Sequence, residues 1–471
     1  MQPLELDTHH TATHVTRRTR QGASLRAQLR ARSATIELAA LLSVVLLGFV
    51  LRAYGLTAHG IWFDEAYHIR LVTLPTVGEM LLAVLSNPPS DPLYVLLLRP
   101  WVALFGHEDF SVRTLSVVLS TATLPATYWL GKVAAGRAAG LVGALLLAVS
   151  PYAIEFGQQA SLYVLASLTT TLALAAGLRW YGTGSRRDAL LYIALGIAAI
   201  YSHYVVAAIL GLFGLLSLSR YAGAGPPLIA RRAWIAAHVA IFAAWTPWLM
   251  GLAASWIATP VPRATLRNPA TVEQVLGALV QFSSGTAALL QRARVPEALG
   301  LLAGGLLLLS GWLAGREARL RHLRLISVVS GLIFLLPAVA SAATGLWLFV
   351  PHFMVFLLPA MFVVFGAGLV HLAGWRPTGS DSLTSMLRYL PLALAAVWLV
   401  AQVWGLALFH RYPPHGADGL RELAGILNTA TRPDDLVLVT PPALQAGLTQ
   451  YYHDETYGIP ADFDLFNLYP P

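Results

Sequence analysis

The segment GIWFDEAYH, residues 60–68, contains two adjacent carboxylates, Asp64 and Glu65. A carboxylate held beside a hydroxyl or an amine can accept its proton as that group becomes a nucleophile, so this pair is a candidate for general-base catalysis. Trp62 and Tyr67 flank the pair, and amphipathic aromatic rings suit an interface between lipid and a polar ligand. A solvated acidic turn beside an aromatic belt is the alternative interpretation of the same pattern.

Among the charged residues of the next 50 positions, three are candidates for a role in chemistry or binding: Asp91, Arg99 and Arg113. Asp91 precedes the apolar stretch 92–105, where a carboxylate suits the start of a helix. Helix capping is the favoured role for Asp91, and a catalytic or metal-binding role is the second. Arg99 and Arg113 can pair with a phosphate at a membrane surface, because guanidinium matches phosphate geometry. Ordinary snorkelling, or pairing with a neighbouring carboxylate, is the alternative for each arginine.

The elements that must position these residues are predicted to be membrane helices. The 471 residues are 56% hydrophobic and only 11% charged, and the mean hydropathy is +0.63. A soluble protein has about 25% charged residues. Apolar runs approach the roughly 20 residues needed to cross a bilayer. They predict an all-α polytopic bundle with spans near 34–53, 112–131, 138–154, 162–180, 189–203, 205–219, 233–250, 298–314, 325–343, 353–374 and 389–410. The stretch 92–105 is too short to span comfortably and predicts an interfacial or re-entrant helix.

The basic residues indicate the orientation of the bundle. If the N-terminus is cytoplasmic, about two thirds of the 31 Lys and Arg residues fall in cytoplasmic segments, as the positive-inside rule requires. We therefore expect a multi-pass protein of the plasma (inner) membrane with an extracytoplasmic C-terminus. The basic residues recur in short groups rather than one patch, which argues against a nucleic-acid partner. Cysteine is absent, which excludes disulfides, thiol catalysis and thiolate metal sites.

This orientation divides the chain into three parts. Residues 1–33 form a basic cytoplasmic tail, and residues 34–410 form the membrane domain, with an outer first loop at 54–111. Residues 411–471 contain an amphipathic helix pattern followed by the apolar strand pattern LVLV. They predict a small α/β appendage outside the membrane that packs on the bundle.

Several motifs in this order resemble one family. WFDEAYH and DPLYVLLLRPWVALFGHEDFSVR are followed by SPYAIEFGQQASLYVLAS, IYSHYVVAAILGLF, AAWTPWLMGL, VPHFMVFLLPAMFVVFGAGL and ADGLRELAGILNTATRPDDLVLV. Together they resemble the protein O-mannosyltransferases and lipid A aminoarabinose transferases, in particular their large bacterial branch. These are membrane glycosyltransferases of the GT-C fold. The resemblance covers nearly the whole chain beyond residue 34 and implies a GT-C bundle of about 11–13 helices.

The resemblance also implies roles for individual residues. The acidic pair of the family's first outer loop falls on Asp64 and Glu65, with Asp64 as the presumed catalytic base. The family's Pro-Leu-Tyr segment places Tyr94 in the substrate region, and its arginine before the second span falls on Arg113. The implied donor is a polyprenyl-phosphate sugar. Some members use a divalent metal, so a metal ion is left open, and its candidate ligands are Glu65, Asp91 and Glu155.

The chain departs from the family pattern at two places. Relatives often read Gln-Glu-Ala-Arg followed by Tyr two residues later, whereas this chain has QQAS at 158–161 before Tyr163. Relatives also often read Pro-Arg-Tyr where this chain has His352 after proline. If the missing arginines grip the carrier phosphate, His352 can replace them only when it is protonated. Glu155 can replace the missing carboxylate, but an exposed loop glutamate is the favoured interpretation.

The expected function is transfer of a sugar from the lipid carrier to an extracytoplasmic glycan, lipid or protein, with inversion at the anomeric carbon. A transporter or lipid flippase is the first alternative, since such proteins place charges near the bilayer midplane. A catalytically inactive relative that binds a lipid-linked sugar is the second, because of the two departures. The position of Asp64 separates the first alternative from transfer: a surface position favours transfer, and a mid-membrane position favours transport.

Overall fold

The computed structural model describes residues 32–86, 91–218, 229–258, 268–284, 294–315, 320–346, 348–374, 389–411, 418–432, 435–439, 445–452 and 456–458. The first 31 residues of the predicted basic tail lie outside the described residues. So do residues 459–471 of the predicted C-terminal appendage.

The described chain is dominated by helices. The loop after the first helix contains three short helices, so the segment 54–111 is largely folded. In chain order the helices are α1 (Arg32–Ala53), α2 (Phe63–Val72), α3 (Val77–Ser86), α4 (Pro92–Phe105), α5 (Asp109–Ala135), α6 (Arg137–Ala148), α7 (Pro151–Gly157), α8 (Leu162–Thr183), α9 (Arg186–Ser202), α10 (Val206–Leu218), α11 (Arg231–Ala258), α12 (Val272–Ser284), α13 (Arg294–Ala314), α14 (Arg321–Thr344), a 3-10 helix (Pro351–Leu357), α15 (Leu358–Gly374), α16 (Leu390–Arg411), α17 (Asp418–Ala430) and α18 (Gln445–Leu448).

The predicted membrane bundle is confirmed, and each of the predicted spans except 138–154 falls on a single helix. Among the described residues, six helices are long and apolar enough to cross a bilayer, and a bent pair brings the number to seven. The six correspond to α1, α8, α11, α14, α15 with its 3-10 extension, and α16. The other predicted spans fall on α5, α9, α10 and α13, which do not meet that criterion of length and composition.

The predicted single span at 138–154 is instead two helices. α6 and α7 are bent by 65° at their junction. Ser150 is extended there, with φ −70° and ψ 118°, since a residue that precedes proline is disfavoured in the helical region. The Ser150 hydroxyl accepts a hydrogen bond from Ala153 N and caps the new helix. α7 therefore leaves the line of α6 and carries Glu155 in a new direction.

The core of the bundle lies where α5, α6, α8, α9, α13 and α15 pack together. Small residues allow the closest approach. A Cβ at Gly131 of α5 would lie 2.5 Å from Gly140 Cα of α6, so the two backbones touch directly. In lipid, where helices gain little from the hydrophobic effect, such contact by small residues is a main source of helix association.

The described part of the C-terminal segment has mixed α/β structure. Strand β1 (Val437–Val439) pairs in parallel with β2 (Thr456–Gly458), and the second strand was not predicted. Ala424 of α17, Val439, Leu448 and Tyr452 form a small apolar cluster. The segment also contacts the bundle, because α18 packs against α2. It is not a detached tail.

Candidate active site

The site is organised by the first turn of α2. Trp62 occupies the N-cap position, so Asp64 and Glu65 are the second and third residues of the helix. Glu65 is only 1% exposed. Its Oε2 accepts hydrogen bonds from Trp62 N at 2.9 Å and from Arg113 Nη2 at 2.7 Å. Its Oε1 accepts from Arg113 Nε at 2.8 Å and from Ala160 N at 2.8 Å. Four donors therefore hold this carboxylate.

Arg113 projects from α5 into the same region and is also buried, at 4% exposure. Besides its two bonds to Glu65, Nη1 donates to the carbonyl oxygens of Leu56 and His59. Nη2 donates to the carbonyl of Gly60 at 2.7 Å. The guanidinium thus holds the loop that connects α1 to α2. Its predicted partner was a lipid phosphate, or a carboxylate next to it in the chain; the partner in the fold is Glu65, which is remote in sequence.

Asp64 differs from Glu65 in both burial and hydrogen bonding. Its side chain is partly exposed, and among the described residues it has no hydrogen bond. Burial raises the pKa of the Asp64 carboxyl, and the charge of Glu65 raises it further. Tyr163 of α8 lies within electrostatic range of Asp64. The oxygens of Asp64, unlike those of Glu65, are therefore not occupied by hydrogen bonds among the described residues.

Asp91 lies at the N-cap position of α4, but its side chain makes no capping bond. The favoured sequence interpretation, helix capping, was wrong. Instead Oδ2 accepts a hydrogen bond at 3.0 Å from the backbone nitrogen of Tyr204, in the turn between α9 and α10. Oδ1 is buried and has no partner among the described residues. Burial raises the pKa of Asp91 to about 8, against the lowering effect of the Tyr204 bond. The carboxyl is therefore largely protonated at neutral pH.

Aromatic rings and histidines from three elements surround these acids. Tyr163 lies 5.6 Å from His352, between ring centroids, and 5.8 Å from His203. His203 stacks on Tyr204 at 4.9 Å, and Asp91 is within electrostatic range of both tyrosines. The predicted site residues Asp64, Asp91, Tyr163 and His352 thus belong to one neighbourhood. His203 is 2% exposed and packs among these rings.

Tyr94 and Tyr67, both predicted for the substrate region, lie in two different environments. Tyr94 is fully buried, its hydroxyl bonds to Ser116 Oγ at 2.9 Å, and its ring packs edge-on against His68 at 5.2 Å. His68 Nδ1 in turn contacts the carbonyl of Ala160 at 2.9 Å. Tyr94 is therefore part of the core that supports α2. The Tyr67 hydroxyl is buried and has no hydrogen-bond partner among the described residues.

Glu155 is not the exposed loop residue that the sequence interpretation favoured. It lies on α7 and is 4% exposed. With Trp62, Glu65 and Arg113 it lines a cavity of about 30 Å³. A water molecule fits such a space, whereas a sugar ring does not. The bend between α6 and α7 is what turns Glu155 toward this cavity.

The candidate metal ligands fit a metal ion poorly. Across the described ranges no group of three or more His, Asp or Glu side chains is placed to hold one. Of the three candidates, Glu65 already accepts four hydrogen bonds. A hard divalent cation needs several free oxygen ligands. This set of donor atoms therefore does not fit a divalent metal ion.

Four residues that support the site were not identified from the sequence. Arg52, near the end of α1, is 1% exposed and donates to the carbonyls of Gly48, Leu147 and Ala148. An ionisable residue inside an apolar span is a signal that could have found it. Asp109, Arg421 and Tyr451 meet above the α1–α2 loop. No sequence pattern linked these three, because Asp109 lies more than 300 positions from the other two.

The helical bundle defines the class at the level of the fold: the chain has the GT-C fold, as comparison with solved structures shows. ArnT from Cupriavidus metallidurans in the apo state aligns with a TM-score of 0.60 and 14% identity, over 91% of this chain and 86% of that one. The same protein bound to undecaprenyl phosphate gives 0.56 and 14%, over 89% and 85%. The archaeal oligosaccharyltransferase AglB from Archaeoglobus fulgidus, in complex with an inhibitory peptide and a dolichol-phosphate, gives 0.54 and 12%, over 91% and 65%.

The resemblance noted in the sequence is thus confirmed at the level of the fold. No protein-family model matches the sequence, and comparison with curated proteins gives no match.

Proposed function

We propose that the chain is a membrane glycosyltransferase that moves a sugar from a polyprenyl-phosphate carrier to an extracytoplasmic glycan, lipid or protein. The observation that carries this proposal is Asp64, the acid of the pair that is not held by hydrogen bonds among the described residues and whose pKa is raised. It lies just after the first span, in a fold shared with ArnT bound to undecaprenyl phosphate and AglB bound to a dolichol-phosphate.

The proposed reaction is a single displacement at the anomeric carbon. The acceptor hydroxyl or amine attacks that carbon and passes its proton to Asp64, while the bond from the carbon to the phosphate oxygen breaks. The electron pair of that bond leaves on the polyprenyl phosphate. Attack from the face opposite the leaving group inverts the configuration. Glu65 and Arg113 are positioning residues, because their ion pair fixes the first turn of α2, which carries Asp64.

Asp91 and His352 are proposed to contact the donor. A protonated Asp91 can donate a hydrogen bond through Oδ1, and its neutral form does not repel the charge that develops on the leaving phosphate. His352 belongs to the same neighbourhood through Tyr163 and supplies positive charge when protonated. With Arg113 committed to Glu65 and the loop, Asp91 and His352 are the groups among the described residues that we propose as replacements for the missing arginines.

Of the alternatives, the transporter is disfavoured by the position of Asp64. The residue lies on a short helix in the connection after α1, rather than within one of the helices long enough to span. The inactive binder keeps the support of the two departures from the family pattern. The chain has Gln159 and Ser161 where relatives often have Glu and Arg, and His352 where they often have Arg.

The test is transfer from a panel of radiolabelled polyprenyl-phosphate sugars by purified protein in lipid nanodiscs with added membrane acceptors. The informative variant is Asp64→Asn, which keeps the shape and removes the base. Its matched control is Glu79→Gln, an exposed acid on α3 in the same connection. We expect transfer by the wild type and the control, and a loss of about 10²–10⁴-fold in Asp64→Asn.

Full transfer by a folded Asp64→Asn protein would remove Asp64 as the base. A wild type that binds a labelled donor but transfers to no acceptor would favour the inactive binder.

A further inference from the structure

The loop that leads into α2 is held from two sides. From the bundle, Arg113 binds the carbonyls of Leu56, His59 and Gly60. From the C-terminal segment, Arg421 binds the carbonyls of Thr57 at 3.3 Å and His59 at 3.1 Å. Two arginines that lie more than 300 positions apart therefore share one stretch of backbone, and His59 accepts from both.

Of the hydrogen bonds between the described C-terminal segment and the α1–α2 loop, the one made by Tyr451 lies nearest to Asp64 in sequence. The Tyr451 hydroxyl accepts a hydrogen bond from Ile61 N at 2.6 Å and donates one to Asp109 Oδ2 at 2.7 Å. Arg421 donates to the same Asp109 oxygen at 2.9 Å, and its guanidinium lies over the Tyr451 ring, 5.3 Å from the centroid. Ile61 is fully buried and lies directly before the Trp62 N-cap of α2.

One face of α5 connects the two sides. Asp109 and Arg113 are four residues apart, so they project from the same face of this helix on successive turns. Arg113 binds Glu65, and Asp109 binds the C-terminal segment. The position where α2 begins is thus set jointly by α5 and by residues 421 and 451. A small appendage that served only to cover the bundle would not need to bind the backbone next to the acidic pair.

We propose that Tyr451 and Arg421 are positioning residues for Asp64, so that the C-terminal segment is a working part of the active site. The proposal rests on the proposed function. The segment fixes the loop at 57–61, the loop fixes the first turn of α2, and that turn holds Asp64 where an acceptor can deliver its proton. A misplacement of about 1 Å can reduce a rate 10²-fold, so loss of one contact is enough to be measured.

The test compares Tyr451→Phe with Tyr452→Phe. Each substitution removes one tyrosine hydroxyl, and the two positions are adjacent in the chain. The Tyr452 hydroxyl bonds only within the segment among the described contacts, to Thr431 Oγ1 at 3.0 Å. A second pair is Arg421→Gln with Arg432→Gln, since Arg432 is exposed. Two quantities are measured on full-length protein in nanodiscs: amide hydrogen exchange of peptides covering 56–66, and the pH profile of kcat for transfer.

We expect faster exchange at 56–66 and a loss of kcat on the order of 10- to 100-fold in Tyr451→Phe and Arg421→Gln, with the donor KM little changed. A looser loop admits water to Asp64, which lowers the pKa of its carboxyl. The acidic limb of the profile therefore moves to lower pH. General loss of folded protein would lower the amplitude and leave the limb in place. The two controls should match the wild type.

Unchanged exchange in Tyr451→Phe would overturn the proposal, and so would faster exchange with an unmoved acidic limb. A wild type that transfers no sugar refutes the proposed function instead, and exchange at 56–66 then decides separately whether the segment holds the loop.

Discussion

Arg113 and Glu65 form a buried, two-bonded ion pair, with Nε to Oε1 at 2.8 Å and Nη2 to Oε2 at 2.7 Å. The fork geometry of guanidinium and carboxylate makes this the strongest type of side-chain hydrogen bonding. The remaining donors of Arg113 go to three loop carbonyls, and the remaining acceptor sites of Glu65 go to Trp62 N and Ala160 N. The pair therefore links α5, the α1–α2 loop, α2 and the segment before α8 at one point.

Removal of one member of this pair should destabilise the protein. Arg113→Met leaves the Glu65 carboxylate buried without its counter-charge, and breaking a buried pair in this way costs about 3–5 kcal/mol. Thermal unfolding in detergent, followed by circular dichroism, measures the effect. The control is Arg99→Met: Arg99 binds the carbonyls of Val72, Leu74 and Pro75 without a carboxylate partner. An Arg113→Met protein as stable as the control would show that the pair adds no net stability.

The rate of transfer should depend on the protonation of Asp64. The base works only when it is deprotonated, so activity is present above its pKa and falls as the pH drops through that value. Burial and the charge of Glu65 raise this pKa above the ordinary value of about 3.9. Glu65→Gln removes the like charge and should shift the acidic limb of kcat/KM to lower pH. The control Glu79→Gln, at an exposed acid, should leave the acidic limb unchanged. An acidic limb that Glu65→Gln also leaves unchanged would argue against Asp64 as the base.

The fold was predictable because most apolar runs of the sequence are long, and burial of such a run in lipid has few alternatives. The acidic pair was located for a similar reason, since adjacent carboxylates next to a span are expensive and therefore conspicuous. The sequence did not correctly predict which partner each charged residue has in the fold. Asp91 reads as a helix cap locally, but its partner is Tyr204 N, which only the tertiary fold brings near.

Glu155 and the C-terminal contacts show the same limit. Whether Glu155 is exposed depends on the 65° bend between α6 and α7, and hydropathy averaged over a window does not detect that bend. Tyr451 and Asp109 are joined by a 2.7 Å hydrogen bond across 342 positions. A single sequence carries no signal for such a pairing. Local pattern therefore identified the elements and the acids, while the hydrogen-bond network required the packed structure.

The predicted orientation can be tested by labelling single introduced cysteines. The chain contains no cysteine of its own that would react as well. Thr429→Cys, on an exposed position of α17, should react with a membrane-impermeant maleimide in intact cells. Arg187→Cys, on an exposed position at the start of α9, should react only after permeabilisation. These positions fall on opposite sides in the orientation predicted from the basic residues. Labelling of Arg187→Cys in intact cells, with Thr429→Cys protected, would invert the orientation and place Asp64 on the cytoplasmic side.

The contact between α5 and α6 should be intolerant of a methyl group. An added Cβ at Gly131 would lie 2.5 Å from Gly140 Cα, whereas a Cβ at Gly305 of α13 would meet nothing within 4 Å. We expect Gly131→Ala to destabilise the protein by about 1–3 kcal/mol and Gly305→Ala to be neutral or slightly stabilising. Thermal unfolding of the two variants side by side measures the difference. Equal stability of the two would mean that the helices separate at little cost.

The stability of the protein should fall with rising pH because of Asp91. In the folded state its pKa is about 8, and in the unfolded chain it is about 3.9. The folded state therefore binds more protons between these values. Its contribution to stability is fully present below about pH 4 and is lost as the pH rises through about 8, with a slope of at most about 1.4 kcal/mol per pH unit.

Asp91→Asn keeps the shape of the side chain and removes the titration. Its unfolding temperature should therefore decline less than that of the wild type between pH 5 and pH 8. Parallel curves for the two proteins would show that Asp91 ionises alike in both states. That result would also remove the proposal that a neutral Asp91 donates a hydrogen bond to the sugar donor.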